Sequence, residues 1–202
     1  MSERLARLRA RLADRLRRRL RRVSPKRLAT AEALARRRVP LGFVFGALVL
    51  WLARPTRATL IAGVAIASIG EGLRFWAAGH LYKSREVTSS GPYRWLAHPL
   101  YVGSSVMGAG LAVASRRVTV AALVAIYLVA TLTSAIRSEE AFLRRNFGDR
   151  YDLYRRASLC GRAAADAGRS FSLQQAIANR EHRAAIGLVV ALLLLLWKTT
   201  YN

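Results

Sequence analysis

The sequence predicts an all-α integral membrane protein with about five transmembrane helices, of which the third and fourth form a helical hairpin. The 202-residue chain is 53% hydrophobic but carries a formal charge of +23, a combination that is rare in a soluble globular protein. Its apolar residues are gathered into long runs, and its basic residues cluster in alternate segments between them. Apolar spans with basic segments on one side of the membrane account for both features.

Residues 1–38 form a basic N-terminal arm with 15 Lys and Arg residues. Apolar residues recur there at spacings of three and four, which predicts one apolar stripe on a helix: Leu5, Leu8, Leu12, Leu16, Leu20 and Val23. We expect residues 1–23 to bind an anionic membrane surface, where each basic residue contributes about 1 kcal/mol. A disordered basic tail is the alternative. No nucleic-acid partner is predicted, because no recognition motif accompanies the charge.

Five apolar runs predict the membrane spans, in chain order residues 39–53, 58–79, 96–115, 118–136 and 184–197. The last run has only 14 residues, a length that fits either a span or a helix buried in protein. The third run has a face of small residues for close helix contact. The expected organisation is the arm 1–38, a membrane core 39–156, a cytoplasmic connector 157–183 and a C-terminal apolar helix 184–202.

Two helices are expected outside the spans. Ala141 to Arg156 reads as one amphipathic helix with four aromatic residues. Within the connector, Ser170 to Arg183 predicts a second short helix, with Ser172 as its cap.

The distribution of basic residues predicts the orientation. With a cytoplasmic N-terminus and five spans, 28 of the 34 basic residues lie on the cytoplasmic side and five on the other. The hairpin of the third and fourth spans then brings His98 and the pair Glu139-Glu140 to the cytoplasmic face. We therefore expect these residues to lie close together at the inner membrane surface.

The stretch from Gly91 to Gly103 reads G-P-Y-R-W-L-A-H-P-L-Y-V-G and contains the start of the third span. Pro99 suits the first turn of that helix, since its missing N–H costs nothing there. His98 is thereby placed at the helix N-terminus, beside unpaired backbone N–H groups that can hold a polar ligand. The alternative is a loop with an interfacial aromatic anchor.

The second span contains two charged residues, Glu71 and Arg74, three apart and hence on one helical face. Charges at this depth are costly, so they should face the helix bundle or the aqueous boundary. The pair either locks the helix in place or turns Arg74 toward a ligand. The single Cys, Cys160, and three scattered His residues have no metal-binding spacing, so no metal site is predicted.

Three separated blocks carry a family resemblance. They are the run Gly91-Pro92-Tyr93, His98-Pro99, Tyr101 and Gly103, the preceding segment 72–79, and the downstream Glu139-Glu140, Phe147-Gly148, Tyr151 and Tyr154. Together they resemble the signature of the isoprenylcysteine carboxyl methyltransferase and phospholipid methyltransferase superfamily, over about residues 70–156. One position departs from the pattern, because Ala97 stands where the family usually has Arg.

The resemblance implies an S-adenosylmethionine-dependent methyltransferase with a cytoplasmic cofactor pocket and a membrane-embedded lipid or lipidated substrate. The residues that it places in the cofactor pocket are Tyr93, His98, Tyr101, Val102, Gly103, Glu139 and Glu140. Glu140 and Arg74 are the expected catalytic residues: Glu140 would accept the proton of an amine acceptor, or Arg74 would guide a carboxylate acceptor. Adjacent glutamates on a helix point about 100° apart, so only one, Glu140, is expected to face the pocket.

The sequence leaves several alternatives open. The acceptor can be a carboxylate or an amine, and the oligomeric state is not determined. An NADPH-dependent membrane reductase shares the layout of an apolar bundle with a polar cytoplasmic pocket. A non-enzymatic membrane scaffold that binds anionic lipid is the remaining possibility.

Overall fold

The computed structural model describes residue 42 and residues 44–83, 85–159 and 170–201. The chain divides into two compact units, 1–47 and 48–202. Of the first unit, residues 44–47 are helical, and the predicted amphipathic arm lies outside the described residues, as does Cys160. Everything that follows concerns the second unit.

The prediction of an all-α protein is confirmed, since every regular element among the described residues is helical. After a helical stretch that ends at Leu52, the elements are α1 (Arg57–His80), a short 3-10 helix (Gly91–Arg94), α2 (Pro99–Ser115), α3 (Val118–Phe147), α4 (Asp149–Leu159), α5 (Leu173–Ala178) and α6 (Glu181–Lys198). Among them, α1 and α3 are long and apolar enough to cross a membrane, and α2 is a shorter apolar helix.

Helices α1 and α2 pack through two pairs of glycines in antiparallel register. A Cβ on Gly63 would lie 2.5 Å from the carbonyl oxygen of Gly110, and a Cβ on Gly70 would lie 2.6 Å from that of Gly103. Seven residues separate the glycines on each helix, which is close to two turns, so both contacts fall on one face. The predicted small-residue face of the third span is therefore confirmed, and it lets the two backbones touch.

Helix α6 runs along α1 in the opposite direction. Near its start Glu181 pairs with Arg74, and near its end Leu195 packs with Leu60 and Ala53 in a buried apolar cluster. The ammonium group of Lys198 donates hydrogen bonds to the carbonyl oxygens of Leu50 and Trp51 at 2.9 and 2.6 Å. The C-terminal apolar run, whose location the sequence left ambiguous, is thus a full-length neighbour of α1.

Two expected boundaries are wrong. Residues 141–156 are not one helix, because α3 continues to Phe147 and the chain then turns at Gly148 before α4 begins. Gly148 has φ +49°, a conformation that favours glycine, and it ends α3. The predicted helix of residues 170–183 is also divided, because α5 ends at Ala178 and α6 begins at Glu181.

The connector contains a short helix with the predicted cap, although this helix, Leu173–Ala178, is shorter than predicted. The Ser172 hydroxyl accepts a hydrogen bond from the backbone N–H of Gln175 at 3.2 Å. The chain then turns at Arg180, which has φ +62°, and α6 starts at Glu181.

Candidate active site

The N-terminus of α2 holds the first predicted site residue. His98 occupies the N-cap position and Pro99 the first turn, as the sequence predicts. The preceding 3-10 helix is entered through Gly91, whose φ of +55° brings the backbone against the His80 ring, where no Cβ would fit. This turn buries Tyr93 against Ala77 and Leu81 of the α1 end. The packing of this turn against α1 places His98 at the start of α2.

The two ring nitrogens of His98 face the two adjacent glutamates of α3. Nε2 lies 3.4 Å from Oε1 of Glu140, and Nδ1 lies 3.9 Å from Oε2 of Glu139. The hairpin prediction is confirmed by this convergence across 42 residues of sequence. The two glutamates point in different directions, as adjacent helix positions require, but the His98 ring lies between them with one nitrogen toward each.

Glu140 is the more buried and more strongly held of the two glutamates. Its Oε2 accepts a hydrogen bond from Arg155 of α4 at 2.8 Å, and Arg144 approaches the same oxygen at 3.9 Å. Arg144 also donates to Asp152 at 3.1 Å. Sequence reasoning missed Arg155, because the break at Gly148 that turns α4 back toward α3 was read as continuous helix.

Three tyrosines surround this carboxylate pair. The Tyr101 ring packs against the His98 ring, with ring centroids 5.6 Å apart. The Tyr154 hydroxyl donates to the backbone oxygen of Tyr93 at 2.9 Å, which ties α4 to the 3-10 turn. Tyr151 is fully buried and its hydroxyl has no hydrogen-bond partner. Burial, reinforced by the charge of Glu140, raises the pKa of Tyr151 to about 12.

A second cluster of charges lies beside the first, at Arg74. Its guanidinium contacts Glu71 of the same helix at 3.5 Å, Glu181 of α6 at 2.6 Å and the hydroxyl of Ser104 on α2. The side chains of Arg74, Glu71 and Glu181 are all mostly buried. The predicted Glu71–Arg74 pair is confirmed, but Glu181 is the closer partner. Sequence reasoning misses Glu181 as the partner of Arg74, because a charged residue just before an apolar run is ordinarily a solvent-exposed flanking residue.

The remaining predicted residues are placed as follows. The side chain of Val102 is exposed, and its backbone N–H donates to the oxygen of His98 at 3.1 Å. Gly103 faces α1, where a Cβ would lie 2.6 Å from Cγ of Arg74. Ala97 is half-buried next to His98.

The arrangement combines carboxylates, guanidinium groups, an imidazole and a buried phenol within one end of the helix bundle. Such a set can bind a ligand that carries both an ammonium and a carboxylate. Among the residues that the structure describes, no three His, Cys, Asp or Glu side chains are grouped so that they could hold a metal ion.

Comparison with known proteins agrees with the resemblance in the motifs. The sequence profile described as phospholipid methyltransferase matches residues 41–150, more than half of the chain. The chain is 34% identical over 108 residues to the nickel-cobalt-cadmium resistance protein NccN of Alcaligenes xylosoxydans xylosoxydans, covering 52% of this chain and 49% of that protein. It is 31% identical over 96 residues to the cobalt-zinc-cadmium resistance protein CzcN of Cupriavidus metallidurans, covering 46% of this chain and 43% of that protein. The chain thus spans about half the length of the curated relatives it matches, and no solved structure matches it significantly.

Proposed function

Because the chain belongs to the phospholipid methyltransferase family, we propose that it transfers a methyl group from S-adenosylmethionine to a lipid or lipidated acceptor in the membrane. The single observation that carries the proposal is the convergence of His98 and Glu140, whose side chains approach to 3.4 Å. These residues come from two of the three blocks that define the family resemblance, and the fold joins them at one end of the bundle.

The chemistry of the site fits the cofactor. When bound, S-adenosylmethionine supplies a sulfonium methyl group that is already activated for in-line displacement. Its ammonium group suits Glu139 or Glu140, and its carboxylate suits His98 or Arg155. The unpartnered hydroxyl of Tyr151 supports the fit, because a buried hydroxyl without a partner is costly and a bound ligand would satisfy it.

The charges around the site favour an amine acceptor over a carboxylate. Around His98, three carboxylates (Glu139, Glu140 and Asp152) and two guanidinium groups (Arg144 and Arg155) give a net charge of −1 in a chain of +23. The guanidinium of Arg74 already contacts two carboxylates, those of Glu71 and Glu181. Arg74 is thus poorly available as a guide for an anionic acceptor, whereas an ammonium group is attracted to the site.

An amine acceptor must lose a proton before the methyl group is transferred. We assign this step to the His98–Glu140 pair: Nδ1 of the neutral imidazole takes the proton, while Nε2–H donates to Glu140, whose carboxylate is oriented by Arg155. The remaining cofactor contacts come from Tyr93, Tyr101 and the backbone of Val102 and Gly103. The active site faces the cytoplasm in this proposal, with the N-terminus on the same side and residues 1–23 bound to anionic lipid.

The proposed topology has five spans, including α6. Its support is the packing of α6 against α1 from Glu181 to Leu195, since a helix that lies along a crossing helix over this length crosses with it. The C-terminus then lies outside. Tags at Asn202 and at the N-terminus, probed for accessibility in sealed vesicles, should report opposite sides; a cytoplasmic tag at Asn202 contradicts the crossing of α6.

Ligand binding to the full-length protein in detergent tests the function. S-adenosylmethionine and S-adenosylhomocysteine should each raise the melting temperature, because a ligand that binds only the folded state stabilises it. His98→Ala and Glu140→Ala should each weaken binding by about 1.5–3 kcal/mol, roughly ten- to a hundredfold. Ile126→Ala, at an exposed position far along α3, is the matched control and should bind normally.

The same titration separates the alternatives. If NADPH raises the melting temperature and S-adenosylmethionine and S-adenosylhomocysteine do not, the protein is a reductase. If none of the three ligands raises it, the non-enzymatic scaffold is the remaining hypothesis. Either result ends the methyltransferase proposal.

A further inference from the structure

Helix α5 presents its polar side chains inward and its apolar side chains outward. The Gln175 amide donates to the oxygen of Leu81 at 2.7 Å, and the Asn179 amide donates to the oxygens of Ala78 and Leu81, both at 2.8 Å. The two amides therefore cap the C-terminal end of α1. Leu173 and Ile177 lie on the opposite face, four residues apart, and more than half of each side chain is exposed. A surface helix in water has the reverse arrangement.

The exposed face of α5 is continuous with exposed aromatic rings. Phe171 packs against His80, His80 against Trp76, and Trp76 against Trp95, with ring centroids 6.3, 6.5 and 6.0 Å apart. Trp76, Trp95 and Phe171 remain 39–54% exposed. We call Trp76, Trp95, Phe171, Leu173 and Ile177 the aromatic platform. The guanidinium of Arg94 lies over the Trp95 ring at 5.6 Å, so a cation borders the platform.

The opposite end of the bundle has a matching set of exposed rings. Trp51 and Trp197 line one apolar groove with Tyr201, and the rings of Trp197 and Tyr201 are 5.2 Å apart. All four Trp residues of the chain thus lie at the two ends of the bundle, two at each end. Between the start of α1 and Trp76 the helix rises about 29 Å, which matches a hydrocarbon core of about 30 Å.

We propose that the aromatic platform is embedded in the boundary between headgroups and acyl chains of the leaflet that borders the His98 site, with α5 lying in the plane of the membrane. Lipid is the occupant that the chemistry selects, because Trp rings beside an Arg are the side chains that prefer this boundary. Trp51, Trp197 and Tyr201 occupy the corresponding boundary of the other leaflet. The polar atoms of the His98 site then lie at headgroup level, where an acceptor group can reach them without leaving the bilayer.

Depth-dependent fluorescence quenching tests the proposal. Variants that keep one Trp and replace the other three by Phe are reconstituted into vesicles of phosphatidylcholine and phosphatidylglycerol, brominated either near the headgroup or near the chain end. The fluorescence of Trp76 and of Trp95 should be quenched at least about twofold more strongly by bromines near the headgroup than by bromines near the chain end. Ile177→Trp, introduced into a variant in which all four native Trp residues are replaced by Phe, places the fluorophore on α5. Its fluorescence should also be quenched more strongly by the bromines near the headgroup.

A second substitution on the same helix as Trp76 is the matched control. Ile69→Trp changes an exposed residue seven positions earlier in α1, about 10 Å deeper, and should be quenched more strongly by the deep bromines. The proposal is overturned if Trp76, Trp95 and the Ile177→Trp variant are quenched only by aqueous acrylamide. It is also overturned if they are shielded from lipid and acrylamide alike, which would mean that protein covers the platform. Neither result bears on cofactor binding, so the proposed reaction is tested separately.

Discussion

The guanidinium of Arg74 lies 2.6 Å from the carboxylate of Glu181, and this contact joins α1 to the first turn of α6. The same guanidinium reaches Ser104 on α2, so one side chain links α1, α2 and α6. Glu181 lies outside residues 41–150, the part of the chain that matches the family profile. The C-terminal helix is therefore attached to the family core through a buried ion pair rather than through apolar contact alone.

Removing Glu181 should destabilise the bundle strongly. Glu181→Gln leaves the charge of Arg74 buried with only its more distant partner Glu71, and breaking a buried pair typically costs about 3–5 kcal/mol. The free energy of unfolding in detergent, followed by tryptophan fluorescence, measures the loss. Glu71→Gln is the matched control and should cost less, since its carboxylate is 3.5 Å from Arg74. Equal losses in the two variants contradict the primary role of Glu181.

Substituting Gly103 should disrupt the contact of α1 and α2. In Gly103→Ala the new methyl group meets Cγ of Arg74 at 2.6 Å and the oxygen of Gly70 at 2.7 Å, and overpacking of this kind costs about 1–3 kcal/mol. Gly72→Ala has no atom within 4 Å of the new Cβ and should stabilise α1 by up to about 1 kcal/mol. The melting temperature should therefore fall in Gly103→Ala and rise in Gly72→Ala.

Two neighbouring tyrosines should respond differently to loss of the hydroxyl group. Tyr154→Phe removes the hydrogen bond to the oxygen of Tyr93 and should destabilise the protein by about 1 kcal/mol. Tyr151→Phe removes an unpartnered hydroxyl, so stability should be unchanged or slightly increased while the affinity for S-adenosylmethionine falls. Melting temperature and ligand titration on both variants separate these effects. Unchanged affinity in Tyr151→Phe would show that this hydroxyl does not contact the cofactor.

The buried phenol of Tyr151 should make stability depend on alkaline pH. Burial raises its pKa from the ordinary value of 10.0 to about 12 in the folded protein. Because the folded-state pKa is the higher one, the neutral phenol favours folding below pH 10, and this contribution is lost as the pH rises toward 12. Unfolding measured across this range should show a steeper loss of stability in wild type than in Tyr151→Phe. Parallel curves would indicate that Tyr151 ionises as freely in the folded protein as in the unfolded chain.

Restoring the usual family residue tests the one departure in the motif. Ala97→Arg adds a guanidinium beside His98 at a half-buried position, close to the carboxylates of Glu139 and Glu140. We expect the variant to fold normally and to bind S-adenosylmethionine as tightly as wild type or more tightly. Weaker binding by folded protein would mean that Arg155 already fills the role and that the added group competes with it.

The elements that depend on local chemistry can be predicted from the sequence. Apolar runs define the helices, Pro99 and Ser172 define two of the helix starts, and the hairpin of α2 and α3 is enough to bring His98 to the two glutamates. These features depend on composition and on residues near in sequence, so a pattern can reveal them. The class of fold, the family and the pairing of Glu71 with Arg74 were accessible in the same way.

Which distant side chains complete the site depends on how the helices pack. Arg155 reaches Glu140 only because the positive φ of Gly148 turns α4 back toward α3, and Glu181 reaches Arg74 only because α6 packs along α1. The placement of the His98 ring between both glutamates likewise depends on the turn that precedes it. A charged residue beside an apolar run has many possible partners in sequence, and only the packing of the helices selects one, because a buried charge must find its partner where the backbones bring it.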